Sequence, residues 1–194
     1  LIDNTITLDG GIDEKMKTIV IYKSKTGFTK MYAEWIGEEL NCDISSYENF
    51  PLSTIAEYDC VIYGSRVHAG KVDGIKEIKE LFVGCITTKL VVFATGGTPL
   101  EAKDVINKIW QRVFSEKELK TIPHFYMQSG LNYKKMSFGD RTIMKTLAKI
   151  LGRKKIKNSA ETGCEKAIAN SYDISSRKYI VPLVEFVKEQ AKIL

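Results

Sequence analysis

A chain of 194 residues, 44% hydrophobic and 27% charged, is long enough for one α/β domain with a full core. This composition excludes a low-complexity or disordered polymer, and no apolar run reaches the roughly 20 residues needed to span a bilayer. The net charge is +5, yet residues 130–162 hold nine Lys and Arg against two acidic residues, a local +7 that leaves the remainder at −2; charge this localised marks either a surface with a purpose or a solvated face.

In chain order, residues 1–15, "LIDNTITLDGGIDEK", precede Met16. Met16 reads as the native start, and the leader as an artificial or frayed extension ahead of a single domain over 16–194. "KTIVIYK" (17–23) is a continuous apolar strand of the kind buried on both faces of a parallel sheet. A helix over 28–40 follows, with Met31, Ala33, Trp35, Ile36 and Leu40 available to its buried face. "CDISSYE" (42–48) is a weaker strand and "YDCVIYG" (58–64) a strong one. Helix 72–83 leads to strand "KLVVFAT" (89–95), helix 100–114 to strand "IPHFYMQSG" (122–130), and a last helix covers most of 177–192, with Pro182 in its first turn. Cys42, Cys60, Cys85 and Cys164 lack CxxC or metal-ligand spacing, so free thiols in a reducing cytosol are expected, with no metal site.

Strands alternating with helices at this spacing specify a doubly wound α/β fold, a five-stranded parallel sheet of order 2-1-3-4-5. Ligands of such sheets bind at the carboxyl ends of the strands beside the switch point, so the loops after Lys23, Tyr63 and Ala94 carry the candidate site. A phospho-receiver needs acidic residues there, but Lys23, Ser24, Gly64 and Ser65 stand in those positions. Neither GxxxxGK[ST] nor GxGxxG occurs, and no cysteine ends the first strand. What remains is "SKTGFT": Ser24, Lys25, Thr26, Gly27, Phe28 and Thr29. Hydroxyls and successive backbone N–H groups open onto a helix N-terminus, which favours an anion; the same residues also make an ordinary capped turn.

"SKTGFT" resembles the [ST]xTGxT phosphate loop of the flavodoxins, which implies FMN as cofactor, held by its 5′-phosphate. By the same resemblance the loop after the third strand, Gly64, Ser65, Arg66, Val67, His68, Ala69 and Gly70, packs along the flavin ring. The loop after the fourth, Thr95, Gly96, Gly97 and Thr98, meets the pyrimidine edge. Carriers of that family flank the ring with aromatic side chains, which these loops lack; they carry Arg66, His68 and Lys71 instead. A cation near N1 stabilises reduced anionic flavin, which suits reduction by a substrate. His68 is the candidate for proton handling beside the ring, whereas His124, at a strand, is structural.

Residues 130–163 form a long basic insertion between the last strand and the last helix. Its helix, about 139–151, sets Ile143, Met144, Leu147, Ile150 and Leu151 on one face and Arg141, Lys145 and Lys149 on the other. Such a helix lies on an anionic membrane surface, or else covers the core with its apolar face. With "YDCVIYGSRVHAGKVDGIKEIKELF" (58–82) and "GLNYKKMSFGDRTIMKTLAKILG" (130–152), the chain resembles the flavodoxin-domain family containing the menaquinone-dependent protoporphyrinogen oxidase of bacterial haem synthesis. That resemblance implies an FMN-dependent oxidoreductase passing electrons from a reduced substrate, a porphyrinogen, to a quinone-type or redox-protein acceptor. It places the protein in the cytoplasm, peripheral on the inner face of the membrane, with no nucleic-acid partner. The alternatives are a soluble electron carrier without a small-molecule substrate and a scaffold that has lost its flavin.

Overall fold

The computed structural model describes residues 16–85, 87–153 and 170–192; the leader, Cys164 and the end of the basic insertion lie outside them. Strand β1 (Thr18–Lys23) is buried over its first four residues and pairs in parallel with both β2 (Asp43–Ser46) and β3 (Cys60–His68). Strand β3 pairs in parallel with β5 (Lys89–Gly96), and β5 with β6 (His124–Gln128). The order β2-β1-β3-β5-β6 is the 2-1-3-4-5 sheet expected from the alternation of elements. The additional strand, β4 (Lys71–Val72), is two residues long and pairs antiparallel with the end of β3.

The central strands read as apolar runs because both of their faces are covered. On one face, Val20, Ile62, Val91, Phe93 and Met127 meet α1 (Phe28–Leu40) and the last helix. On the other, Ile19, Ile21, Val61, Tyr63 and Val92 meet α2 (Ile75–Leu81) and α3 (Lys103–Val113). In α1 the buried stripe is Thr29, Tyr32, Ala33, Ile36 and Gly37, turned from the expected one: Met31, Trp35 and Leu40 flank it, and Tyr32 takes its centre with no solvent exposure. The Tyr32 hydroxyl donates to the carbonyl of Gln128 and accepts from the amide of Ser176, which makes a buried phenol tolerable there.

Helix α4 (Glu116–Thr121) is an element the sequence reading missed, and it carries a capping box: Ser115 Oγ accepts from Glu118 N while Glu118 Oε2 accepts from Ser115 N at 2.7 Å. Helix α5 (Phe138–Arg153) lies in the insertion, and α6 (Val181–Ala191) closes the chain with Pro182 in its first turn, where its missing N–H costs nothing. His124 is structural as expected: its ring packs on Trp110 and Phe114 at centroid distances of 4.9 and 5.6 Å. Cys60 is buried at the start of β3, and burial pushes its thiol up to about 12.

Gly64 was expected in a loop packed along a flavin ring. It instead lies inside β3, and a Cβ there would overlap the ring of Phe93 on the neighbouring strand. Its small size serves packing, not loop conformation. Gly64→Ala should therefore cost about 1–3 kcal/mol through overpacking, read as a lowered denaturant midpoint at unchanged slope. Adding Phe93→Leu, which makes room, should leave the double variant less destabilised than the sum of the two single changes.

Candidate functional site

The carboxyl ends of β1, β3 and β5 converge on one edge of the sheet, and three loops meet there. In the first, Gly27 adopts φ +96°, in the left-handed region, and begins α1 without any side-chain cap. The first amides of a 13-residue helix thus point into the loop with no acceptor from a capping side chain. Ser24 Oγ accepts from Gly27 N at 3.2 Å and holds the turn open. The hydroxyl of Thr26 makes no hydrogen bond among the described residues and is free to donate to an anion. An uncapped helix start beside unspent hydroxyl and amide donors fits a phosphate dianion.

Thr29 behaves differently from its loop neighbours. It is buried, and its hydroxyl is 2.8 Å from that of Thr95, also buried. The two expected donors hydrogen-bond each other beneath the site and tie the first loop to the third. The third loop is braced from below by Tyr126, whose hydroxyl accepts from Thr98 N at 2.9 Å and donates to Thr98 O at 3.1 Å. Burial raises the Tyr126 phenol well above its ordinary value, so it stays neutral. A Cβ on Gly96 would lie 2.8 Å from the Tyr126 hydroxyl, and one on Gly97 would lie 2.8 Å from the hydroxyl of Tyr172. Tyr172 is a residue the sequence reading missed. It reaches the third loop because residues 131 and 172 form an antiparallel bridge.

The second loop is a β-hairpin rather than an irregular segment. Strand β3 runs on through Ser65, Arg66, Val67 and His68. Ala69 (φ +49°) and Gly70 (φ +74°) then make a two-residue turn, and Val67 and His68 pair with Val72 and Lys71. Two consecutive left-handed residues are the turn geometry that suits a tight hairpin. Ser65 is fully buried, its hydroxyl directed to the carbonyl of Lys23.

Arg66 was expected as a free cation beside the ring. It is compensated twice: Nε lies 2.8 Å from Asp73 Oδ2 and Nη1 2.9 Å from Asp140 Oδ2, with the side chain 13% exposed. Burial works against its charge, and the two carboxylates outweigh that, so the guanidinium titrates above its ordinary value. His68 shares the cluster, with Nε2 3.0 Å from Asp140 Oδ1 and Nδ1 3.8 Å from Asp73 Oδ1. Asp140 belongs to α5, so this cluster fastens the basic helix to the hairpin. Along α5, Ile143 and Ile150 are 63 and 60% exposed, so this part of the expected apolar face does not cover the core, and Phe138 at the helix start is 85% exposed. The side chains of Leu147 and Leu151 lie outside the described residues, as do Lys154, Lys155 and Lys157. No helix among the described residues is long and apolar enough to cross a membrane, and they hold no cluster of metal-ligating side chains.

A family model described as the flavodoxin domain matches residues 19–158, most of the chain, and the protein belongs to that family. Its cofactor is FMN, and the first loop fits the phosphate of that group. Solved structures similar to this one include a flavodoxin from the domain Archaea, 19% identical, covering 79% of this chain and 94% of that one at a TM-score of 0.40. The Trp repressor binding protein from Bacillus subtilis is 14% identical, covering 80% and 99% at 0.42. A flavoprotein in complex with FMN from Lactobacillus acidophilus NCFM is 18% identical, covering 58% and 92% at 0.39. Among curated proteins, none matches this chain.

The Arg66 hydrogen bond, more than anything else near it, holds the Asp140 carboxyl below its ordinary value. A carboxylate whose folded pKa is depressed stabilises the fold above its unfolded pKa of about 3.9, and that contribution is lost as pH falls through the lower folded value. Asp140→Asn should therefore lower the denaturant midpoint at pH 7. The gap between parent and variant should close as the pH is taken below the carboxylate range. A gap that stays constant down to pH 2 would show that the carboxylate charge contributes nothing.

Proposed function

We propose that this protein is an FMN-dependent oxidoreductase of the protoporphyrinogen-oxidising type, which takes two electrons from a reduced tetrapyrrole-class substrate and delivers them to a quinone at a membrane surface. The observation that carries this reading is the attachment of α5 to the flavin loops. Asp140, in the first turn of α5, is hydrogen-bonded to Arg66 and lies 3.0 Å from His68 on the hairpin. The same helix exposes Ile143 and Ile150 together with Lys145, Lys149 and Arg153. An acceptor dissolved in lipid requires a flavin edge close to the bilayer, and a basic helix with exposed apolar residues supplies that proximity.

FMN supplies the hydride and electron transfer chemistry when bound. The chain's own residues hold and surround it. Ser24, Thr26 and the first amides of α1 would hold the phosphate, and the backbone of Gly96 and Gly97 would meet the ring. His68, 43% exposed between two carboxylates, is the group placed to accept the proton that leaves the substrate. Across a turnover the substrate loses two electrons and two protons, and the quinone gains both to become the quinol. In an anaerobic assay, FMN-loaded protein should bleach on addition of protoporphyrinogen and recover colour on addition of a menaquinone analogue. Protein that binds FMN but is not reduced by any porphyrinogen would overturn the substrate assignment.

Tyr172, whose hydroxyl reaches Gly97 of the third loop, supports a second reading, a soluble electron carrier, because it brings an aromatic side chain to the loop edge where carriers of this family flank their flavin. The membrane reading separates the two. The parent should sediment with anionic vesicles in preference to neutral ones, and less so as salt rises, since each cation near an anionic surface contributes about 1 kcal/mol and screening acts within about 8 Å. Changing Lys145 and Lys149 to Gln should lower that binding by about tenfold or more, while FMN affinity is unchanged. A parent with no preference for anionic lipid at low salt supports the carrier.

A further inference from the structure

The segment between β6 and α5 crosses the loop edge of the sheet as a strap fixed at both ends. At its start Ser129 N donates to Gly96 O at 2.8 Å, and Leu131 exchanges two backbone hydrogen bonds with Tyr172 at 2.9 and 3.0 Å. At its end Asp140 is held by Arg66. Between these anchors the chain turns at Asn132, whose side-chain oxygen accepts from Lys135 N at 3.2 Å and whose carbonyl accepts from Met136 N at 3.1 Å. That turn aims Lys135 at the first loop: a Cβ built on Gly27 would lie 3.4 Å from the Lys135 Nζ. The ammonium has no ion pair among the described residues.

A cation over the start of a helix faces the positive end of the helix dipole and is repelled by it. The arrangement becomes favourable when a dianion lies between the two, because the ammonium and the helix amides then converge on one charge. We infer that Lys135 completes the phosphate cradle, contributing a cation that contacts the 5′-phosphate of FMN. This rests on the FMN reading and adds to it a residue from more than 100 positions along the chain. The fixed positions of the [ST]xTGxT loop, Ser24, Thr26, Gly27 and Thr29, are neutral donors and its one cation, Lys25, stands at a variable position, so a cation delivered by the strap gives this protein a discrimination between FMN and riboflavin that depends on charge and on salt.

The test titrates flavin-free full-length protein with FMN and with riboflavin, following flavin fluorescence at low and at physiological salt. Lys135→Gln should lose about tenfold in FMN affinity, the range between an exposed ion pair and a charge-assisted hydrogen bond. Lys135→Glu should lose more, and Lys135→Arg should keep most of the parent affinity. Riboflavin binding should be the same in all three, which also shows that they fold. The salt dependence of FMN binding should be shallower in Lys135→Gln than in the parent, and Lys134→Gln, one position away, should leave it unchanged. Lys135→Gln with parent-like FMN affinity, or with equal losses of FMN and riboflavin, would overturn the inference. If Thr26→Ala loses FMN selectively while Lys135→Gln does not, the inference falls and the FMN site stands. A parent that binds neither flavin overturns both.

Discussion

A single guanidinium organises the functional edge of this protein. Arg66 reaches Asp73, seven residues on, and Asp140, seventy-four residues on, and is nearly buried between them. Withdrawing such a charge from water costs several kcal/mol, and the cost is offset only when geometry and partners are good. Two short hydrogen bonds to carboxylates from different elements meet that condition. The arrangement fixes more than energy: Asp73 sets the base of the hairpin, and Asp140 sets where α5 begins. With the hairpin fixed, His68 is held between the same two carboxylates. With the helix start fixed, the strap before it is held at both ends, and Lys135 lies beside Gly27 of the first loop.

Beneath that edge the loops are rigid for reasons internal to the protein. The Thr29–Thr95 hydroxyl pair joins the first loop to the third below the site, and the Tyr126 phenol spans the amide and carbonyl of Thr98. Neutral buried groups in satisfied networks hold their positions without the desolvation cost of charge. The consequence for a flavin is a set of donors already in place, so little ordering remains to be done on binding. Residues that look like ligands in the sequence divide accordingly into those whose hydroxyls stay unspent, such as Thr26, and those that hold the loops together, such as Thr29 and Thr95.

The parallel sheet and its order were legible because apolar runs of five to seven residues, separated by helical segments, leave little choice of topology. The helix over 28–40 was placed with its observed ends, since the glycine before it and the asparagine after it both punctuate helices. The second loop was misjudged because Ser65, Arg66 and His68 break the apolar run, and a polar stretch after a strand reads as irregular. The ladder continues because β4 comes back to pair with it, a tertiary fact that two residues cannot signal. The capping box at Ser115 and Glu118 was a missed local signal, present as Ser-x-x-Glu. Glycine was legible only as a residue type. Gly64 makes room for Phe93, Gly27 turns the chain, and Gly97 lies under Tyr172, and nothing local distinguishes these three uses. Lys135 and Tyr172 were beyond reach, since each arrives from a distant segment.

The position of Tyr32 bears on how the chain comes to be made. Its hydroxyl donates to a carbonyl 96 residues further on and accepts from an amide 144 residues further on. The face of the sheet behind it is completed by Ile180 and by Leu183 and Val187 of the last helix. During synthesis, then, β1 and α1 leave the ribosome well before the partners of Tyr32, and they cannot finish docking until residue 176 has emerged. Contacts of such long separation slow folding, and an incomplete chain exposes half of its apolar sheet. Until then one side of the nascent domain stays uncovered. Chaperones that shield apolar strands are expected to meet it on that side, and a ribosome stalled before residue 176 displays a chain with α1 unanchored.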